Sequence, residues 1–198
     1  MTTRTAFTRF AMLGAIAVAG AAIAAPTTYT IDPNHTYPSF EADHAGGLSV
    51  WRGKFKSTSG TVVLDVQGQT GNIDVKVDTA SLDFGHERMN THAKSKDMFD
   101  VEQFPAATYT GKLVKFKDGA PTEVDGTLTL RGVSKPVPLK INKFLCKPVR
   151  GREVCGADAS ATFSREDFGI SYGKQMGFNM EVRLQIQIEA AAAPATSG

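Results

Sequence analysis

The sequence predicts an all-β fold: a single antiparallel β-barrel of about eight strands, with one or two short helices near the mouth of a cavity. Most of the chain alternates apolar and polar side chains, which is typical of antiparallel strands with one buried and one solvated face. Short turns rich in Gly, Pro, Asp and Asn separate these segments. Long strands in series favour closure into a barrel, because an open sheet would leave unpaired edges. A β-sandwich is the alternative.

The first 24 residues predict a cleavable signal peptide. Two arginines precede an apolar run over 11–25, and the small residues Ala22 and Ala24 suit a signal peptidase that cuts after Ala24. The run is short for a spanning helix, although an uncleaved membrane anchor is the alternative. We therefore expect an exported, periplasmic protein.

The remaining chain is expected to be one domain over 25–190, followed by a disordered tail of small and polar residues over 191–198. The sequence has 22 Lys and Arg against 20 Asp and Glu, and the signal segment removes two arginines and no acidic residue. The mature protein is then formally neutral. This balance disfavours nucleic acid as a partner, because binding to phosphates needs a surplus of basic side chains.

Strand periodicity is clear along the whole domain. Apolar residues or glycine occupy every second position in the segments 73–77, 124–130 and 137–141. The last segment is the clearest, because one face carries Phe178, Met180, Val182, Leu184, Ile186 and Ile188. Its other face is polar throughout, so one side of this strand is predicted to face the core.

The alternation stops over 90–109, where we expect one or two turns of helix that carry His92 and Asp97. An acid–base pair could use these two side chains, but five positions apart on a helix they would point in different directions. The four histidines of the chain lack the spacing of a metal site. The sequence therefore predicts no metal site and no catalytic residue.

The two cysteines, Cys146 and Cys155, are separated by eight residues of loop character. In an oxidising compartment a disulfide is the default, and it would pin a hairpin near its base. A free thiol or a metal pair is the alternative. Direct pairing of the two cysteines would make the apolar faces of the flanking strands disagree, and a bulge at Gly156 or a sharp bend would reconcile them.

Aromatic and methionine side chains are concentrated around the interruptions and not along the strands. Each of them could simply fill a core. Together they predict bulky walls around a cavity mouth, where Met and Phe adapt to flexible acyl or prenyl chains. The residues predicted to line this hydrophobic tunnel are Phe40, Trp51, Phe55, Met98, Phe99, Phe104, Phe168, Tyr172, Met176 and Phe178.

Four stretches follow one another along the chain: YTIDPNHTYPSFEADHAGGLSVWRGKF, ASLDFGHERMNTHAKSKDMFDVEQFPAATY, GTLTLRGVSKPVPL and FSREDFGISYG. In the first, the matching positions are Asp32, His35, Phe40, His44, Arg52, Gly53 and Phe55. The series spans 28–189 and resembles the YceI-like family of exported, polyisoprenoid-binding proteins. The sequence departs from the family pattern at Ala93, where Leu is expected, and at Met98, where Phe is usual.

The resemblance implies a lipocalin-like barrel whose hydrophobic tunnel holds an isoprenoid quinone, a polyprenyl phosphate or a fatty-acid-like ligand. It implies no catalytic residue and no cofactor other than this non-covalently bound lipid. Arg52, Arg88 and His92 are the residues expected to meet a polar head group through charge-assisted hydrogen bonds. A homodimer and transient contact with a membrane are further expectations.

The sequence therefore favours an exported lipid-binding protein that acts in transport, storage or stress protection. One alternative is a small hydrolase or dehydratase that uses His92, Asp97 and Arg88 in the same cavity. The other is a solid-core module whose exterior binds a partner protein, for which the barrel interior would be too small for a lipid.

Overall fold

The computed structural model describes residues 25–194, so the predicted signal peptide over 1–24 and the end of the predicted tail lie outside the described residues. Within this range the chain forms twelve strands, one α-helix and three short 3-10 helices. The strands are β1 (Thr27–Ile31), β2 (Ser39–His44), β3 (Ser49–Phe55), β4 (Thr58–Asp65), β5 (Thr70–Asp78), β6 (Leu82–Asp83), β7 (Ala106–Val114), β8 (Glu123–Leu130), β9 (Val133–Pro136), β10 (Leu139–Val149), β11 (Arg152–Ser164) and β12 (Glu181–Ala192). The helix α1 spans Glu87–Lys94, and the 3-10 helices span Thr79–Ser81, Arg165–Phe168 and Lys174–Met176.

Eight of these strands close into an antiparallel barrel, as the alternation predicts. Their order around the barrel is β1-β4-β5-β7-β8-β10-β11-β12, and β12 pairs back to β1 through Tyr29 opposite Ala192. The last strand therefore continues past the predicted domain boundary at residue 190, and residues 191 and 192 belong to the barrel and not to a tail. The cause is that β1 offers a free edge for these residues to pair with.

One edge of β12 is shared between two strands. The lower part, residues 190–192, pairs with β1, whereas residues 182–185 pair with β2. The connection over 32–38 crosses between them, and the buried hydroxyl of Thr36 donates to the Glu189 carbonyl (3.2 Å) and accepts from the Glu189 N–H (3.1 Å). The Asp32 N–H also donates to the Glu189 carbonyl (2.9 Å), so Thr36 and Asp32 together satisfy the β12 backbone between its two partner strands.

Strands β2, β3 and β6 form a small extension of the sheet beside the upper part of β12. Strand β2 carries Phe40 inward, and Gly53 of β3 lies opposite it, where any larger side chain would collide with the Phe40 ring at 2.7 Å. The extension therefore brings aromatic side chains over one end of the barrel.

A bulge puts the apolar faces of β10 and β11 on the same side of the sheet, but this bulge is not at the predicted position. Ile141 pairs with Ala159, whereas Lys143 pairs with Asp158, so Asn142 is the extra residue. The expectation of a bulge at Gly156 is wrong, since Gly156 pairs regularly with Leu145. The Asn142 amide donates to the Ser160 hydroxyl (3.0 Å), which gives the bulged residue a partner on the outer face.

The helix begins earlier than the sequence predicts. His86 caps it by accepting the Met89 N–H, and α1 then runs over Glu87–Lys94. The segment with Asp97 follows in a turn, so Asp97 does not lie on the helix with His92. Among the described residues no helix has the length and apolar character needed to cross a membrane.

The predicted disulfide is present between Cys146 and Cys155, directly paired across β10 and β11. It lies in the part of the hairpin where β10 has left β8 and pairs with β11, while β11 still pairs with β12 at Ala190. Cross-linking a loop of this length restricts the unfolded chain.

We expect the double variant Cys146→Ser/Cys155→Ser to unfold with a free energy lower by about 2–3 kcal/mol, the loss of loop-closure entropy for such a short loop. Urea unfolding followed by circular dichroism measures this difference. Wild type in reductant serves as the control and should match the variant, which should itself be insensitive to reductant. Equal stability of oxidised wild type and variant would contradict the expectation.

Candidate functional site

The inward faces of the barrel enclose a cavity of about 380 Å³. Each of the eight barrel strands contributes to its wall, together with β2 and β3 of the extension. The volume lies in the range of small-molecule sites. One reason for the empty space is strand β11, which supplies Gly156, Ala157 and Ala159 to the wall where other strands supply Leu, Ile or Val.

Aromatic rings line the cavity at one end. Phe40 contacts Phe84 (ring centres 5.6 Å apart), Phe55 contacts Phe99 (5.6 Å), and Trp51 contacts Phe84 (6.0 Å). Their mutual edge-to-face packing holds the rings in place, because the positive edge of one ring faces the negative face of the next. This end therefore has a rigid apolar wall.

The same end of the barrel carries the helical segments, and we call it the helical end. It comprises α1, the turn between β2 and β3, and residues 165–177. These pieces touch each other: the His92 ring lies 4.6 Å from the Tyr172 ring, and Gly46 approaches the Gly177 backbone. The polar and aromatic-polar cavity residues of this end are Asp43, His44, His92, Arg165 and Tyr172.

Asp43 holds the helical end together. Its carboxylate accepts three backbone N–H groups, from Asn179 (2.8 Å), Gly47 (2.6 Å) and Gly46 (3.1 Å). The hydrogen bond from Asn179, with those from the two glycines, lowers the pKa of Asp43. Because the Asp43 side chain links the β2–β3 turn to Asn179, just before β12, we assign it a structural role.

Arg165 is the charged residue that sequence reasoning missed. Its side chain is 6% exposed, and its guanidinium donates to the Ile170 carbonyl (3.3 Å) and the Tyr172 carbonyl (2.8 Å). Burial lowers the pKa of Arg165, and the nearby Asp43 charge opposes this. The alternation of β11 was the available signal, since Arg165 continues the inward series of Ala157, Ala159 and Phe163.

Seven of the ten residues predicted to line the tunnel do lie on the cavity wall: Phe40, Trp51, Phe55, Met98, Phe99, Tyr172 and Phe178. Whether they contact a ligand stays a prediction.

The other three lie elsewhere, so their placement in the tunnel is corrected. Phe104 is half-buried near the Arg131 guanidinium, which lies 5.9 Å from its ring centre, and is not part of the cavity wall. Phe168 is 1% exposed and is not on the cavity wall. Its ring packs against Phe163, with 5.2 Å between the ring centres. Met176 is 60% exposed, because it lies in the outer 3-10 helix Lys174–Met176.

Of the three residues expected to meet a head group, only His92 lines the cavity. Arg52 points outward from β3, because its neighbour Trp51 points inward, and it donates to the Glu41 carboxylate (2.7 Å). Arg88 lies on the exposed face of α1.

The residues of the enzyme alternative do not converge either. Asp97 and Arg88 are both exposed and outside the cavity wall, whereas His92 is part of it. Among the residues that the structure describes, no group of three His, Cys, Asp or Glu side chains could hold a metal ion.

A closed antiparallel barrel around an apolar cavity defines a small β-barrel of the class whose interior is wide enough to hold one ligand. Residues 29–190 match the YceI-like domain, and the chain belongs to the YceI-like family. It is 31% identical over 185 residues to Protein YceI of Salmonella arizonae, which covers 91% of this chain and 94% of that protein.

Solved structures show the same fold. BcnA of Burkholderia cenocepacia superposes with a TM-score of 0.63 at 21% identity, over 81% of this chain and 99% of BcnA. A polyisoprenoid-binding domain of Saccharophagus degradans, implicated in plant cell wall breakdown, gives 0.61 at 15% identity, over 84% and 99%. The YceI protein of Campylobacter jejuni gives 0.62 at 25% identity, over 73% and 86%.

Tyr29 and Tyr109 are buried on the cavity wall. Burial raises the pKa of both tyrosines, that of Tyr29 to about 12. The Tyr29 hydroxyl also donates to the Glu153 carboxylate, whose charge disfavours the phenolate. Since the folded pKa exceeds the unfolded value of about 10, the stability that Tyr29 contributes is complete below pH about 10 and is lost as pH rises towards 12.

We expect a late component near pH about 12 in the ultraviolet titration of tyrosinate. The Tyr29→Phe variant should lose this component and keep the still later titration of Tyr109, and the urea-unfolded protein should lack both. An identical late component in the wild type and the variant would contradict the assignment.

Proposed function

We infer that this protein binds one long-chain lipid, a polyisoprenoid or a comparable amphiphile, inside the barrel. The observation that carries this proposal is the apolar cavity at the centre of the barrel, walled by aliphatic and aromatic side chains from all eight strands. Each methylene moved from water into such a cavity contributes about 0.8 kcal/mol, so a chain of several isoprene units gains affinity from buried area alone.

The family supports the same ligand class. The domain of Saccharophagus degradans that shares this fold is a polyisoprenoid-binding domain. An isoprenoid quinone, a polyprenyl phosphate and a fatty-acid-like molecule all combine an apolar chain with one polar end. A cavity with apolar walls and polar groups at the helical end suits that combination.

We further propose that the protein acts outside the cytoplasm, in the periplasm, as a carrier or store of its lipid or in protection against stress. Two observations support export: the signal-like segment at the start of the sequence and the disulfide between Cys146 and Cys155, which is typical of oxidising compartments. Homodimer formation and transient membrane contact belong to the same proposal.

Catalysis is the weaker proposal. It would require His92, Asp97 and Arg88 to face one space, and only His92 does. A solid-core interaction module is also disfavoured, because a cavity of about 380 Å³ occupies the interior.

Trp51 offers a direct measurement, because it is the single tryptophan of the chain and lies on the cavity wall. We expect a diprenyl benzoquinone to quench its fluorescence in a saturable way, since the quinone would be held close to the indole. The same benzoquinone without its tail is the control and should quench only in proportion to its concentration. Equal, non-saturable quenching by both compounds would count against binding in the cavity.

Filling the cavity should block it. Ala159→Phe places a ring into empty space, so we expect the folded protein to keep its unfolding midpoint while the affinity for the prenylated quinone falls by about tenfold or more. Thr162→Phe is the matched control, because Thr162 lies on the same strand and points outward. If Ala159→Phe bound the quinone as tightly as Thr162→Phe, the ligand would occupy another place.

A further inference from the structure

We propose that Arg165 binds the anionic head group of the ligand, so that the site selects a phosphate- or carboxylate-ended chain over the corresponding neutral alcohol. The inference rests on the proposed lipid binding and specifies its head-group chemistry.

The position of Arg165 is the first observation. Its backbone N–H donates to the Met180 carbonyl (2.9 Å), which continues the pairing of β11 with β12 beyond Ser164. The side chain therefore follows Phe163 on the inward face of the sheet and reaches the cavity wall. A cationic group thus lies on the wall of a mostly apolar cavity, at the helical end, where Asp43 and His92 also lie.

The second observation is that, within residues 25–194, no carboxylate contacts this buried cation directly. Among the described residues, no carboxylate forms an ion pair with Arg165, whereas Arg52 and Arg183 are both paired and both exposed. Its hydrogen bonds go to two backbone carbonyls, of Ile170 and Tyr172. A buried charge without a directly paired anion is costly, so an anion bound beside Arg165 would stabilise it.

Asp43 supplies a nearby negative charge but no hydrogen bond to the Arg165 guanidinium. Its carboxylate lies near enough to favour the charged form of Arg165, but both of its oxygens are engaged by backbone N–H groups of the β2–β3 turn and of Asn179. The guanidinium makes hydrogen bonds to the Ile170 and Tyr172 carbonyls, so some of its N–H donors remain for a ligand. A guanidinium presents five N–H donors in a planar fork, a geometry that matches phosphate and carboxylate oxygens.

The surroundings of Arg165 fit a head group. Tyr172 contacts both groups: its carbonyl accepts a hydrogen bond from Arg165, and its ring packs against His92. The guanidinium and the imidazole therefore lie on either side of Tyr172 at the cavity wall. The rest of the wall is formed by aliphatic and aromatic side chains, which suit the chain of the ligand. Other arginines lack this setting: Arg131 also donates to two carbonyls, but it does not line the cavity.

The test compares ligands that differ only in their head group. Isothermal titration calorimetry on the delipidated protein would measure the affinities of farnesyl phosphate and farnesol, and of palmitate and palmityl alcohol. We expect the anionic member of at least one pair to bind about ten- to a hundredfold more tightly, the effect of hydrogen bonds to a charged group. The pair that shows the preference distinguishes a phosphate from a carboxylate ligand.

Two variants assign the preference to Arg165. In Arg165→Met the preference should fall to about twofold or less, while Arg165→Lys, which keeps the charge without the fork, should retain part of it. Arg183→Met is the matched control, since this arginine is exposed on the outer face of β12, and it should keep the wild-type preference.

Equal affinity of wild type for the charged and neutral members of both pairs would overturn the inference while leaving lipid binding intact. An unchanged preference in Arg165→Met would overturn it too. Absence of binding for all four compounds would overturn the inference as well, and the proposed function would be removed with it only if the prenylated quinone also failed to quench Trp51 in a saturable way. If Arg165→Met failed to fold, the wild-type ratios and Arg165→Lys would still decide the matter.

Discussion

The divided edge of β12 is the constraint on which the rest of the structure depends. Its lower part closes the barrel with β1 and its upper part pairs with β2, so a single strand joins the barrel to the sheet extension. The Thr36 hydroxyl satisfies the Glu189 backbone at the division. Because β1 and β2 pair with different parts of β12, β2 and its neighbour β3 carry their aromatic side chains over the helical end.

The hollow interior follows from the size of the side chains on β11. Strands that face one another across a barrel of eight strands can just fill it when each contributes large residues. Here β11 contributes the small residues Ala157 and Ala159 at successive inward positions, and the bulge at Asn142 keeps these positions in line with the apolar face of β10. The disulfide then fixes the register of the hairpin at its far end. The cavity is thus a product of residue choice on one strand within an otherwise ordinary barrel.

Period-two alternation predicted the strands and their apolar faces, because it reports directly which side chains share a face. It left a sandwich as the alternative to a barrel, and the family resemblance favoured the barrel with a tunnel. Alternation could not locate the bulge, because an extra residue at Asn142 and one at Gly156 give the same pattern outside the hairpin. Phe168 and Met176 lie in irregular segments, where no period fixes direction. Arg165 was readable as the next inward position of β11, but a charged residue there contradicts the expectation of an apolar wall.

The central claim is that the barrel is a container for a lipid chain, and the most direct measurement is mass spectrometry of protein purified without detergent. The native spectrum would be compared with the denaturing spectrum, and an organic extract would identify any released molecule. We predict a mass excess in the native spectrum that disappears on denaturation, with a prenyl or acyl species in the extract at close to one per chain. Identical native and denatured masses, with no mass gain after incubation with prenyl quinones, prenyl phosphates or fatty acids, would contradict the account.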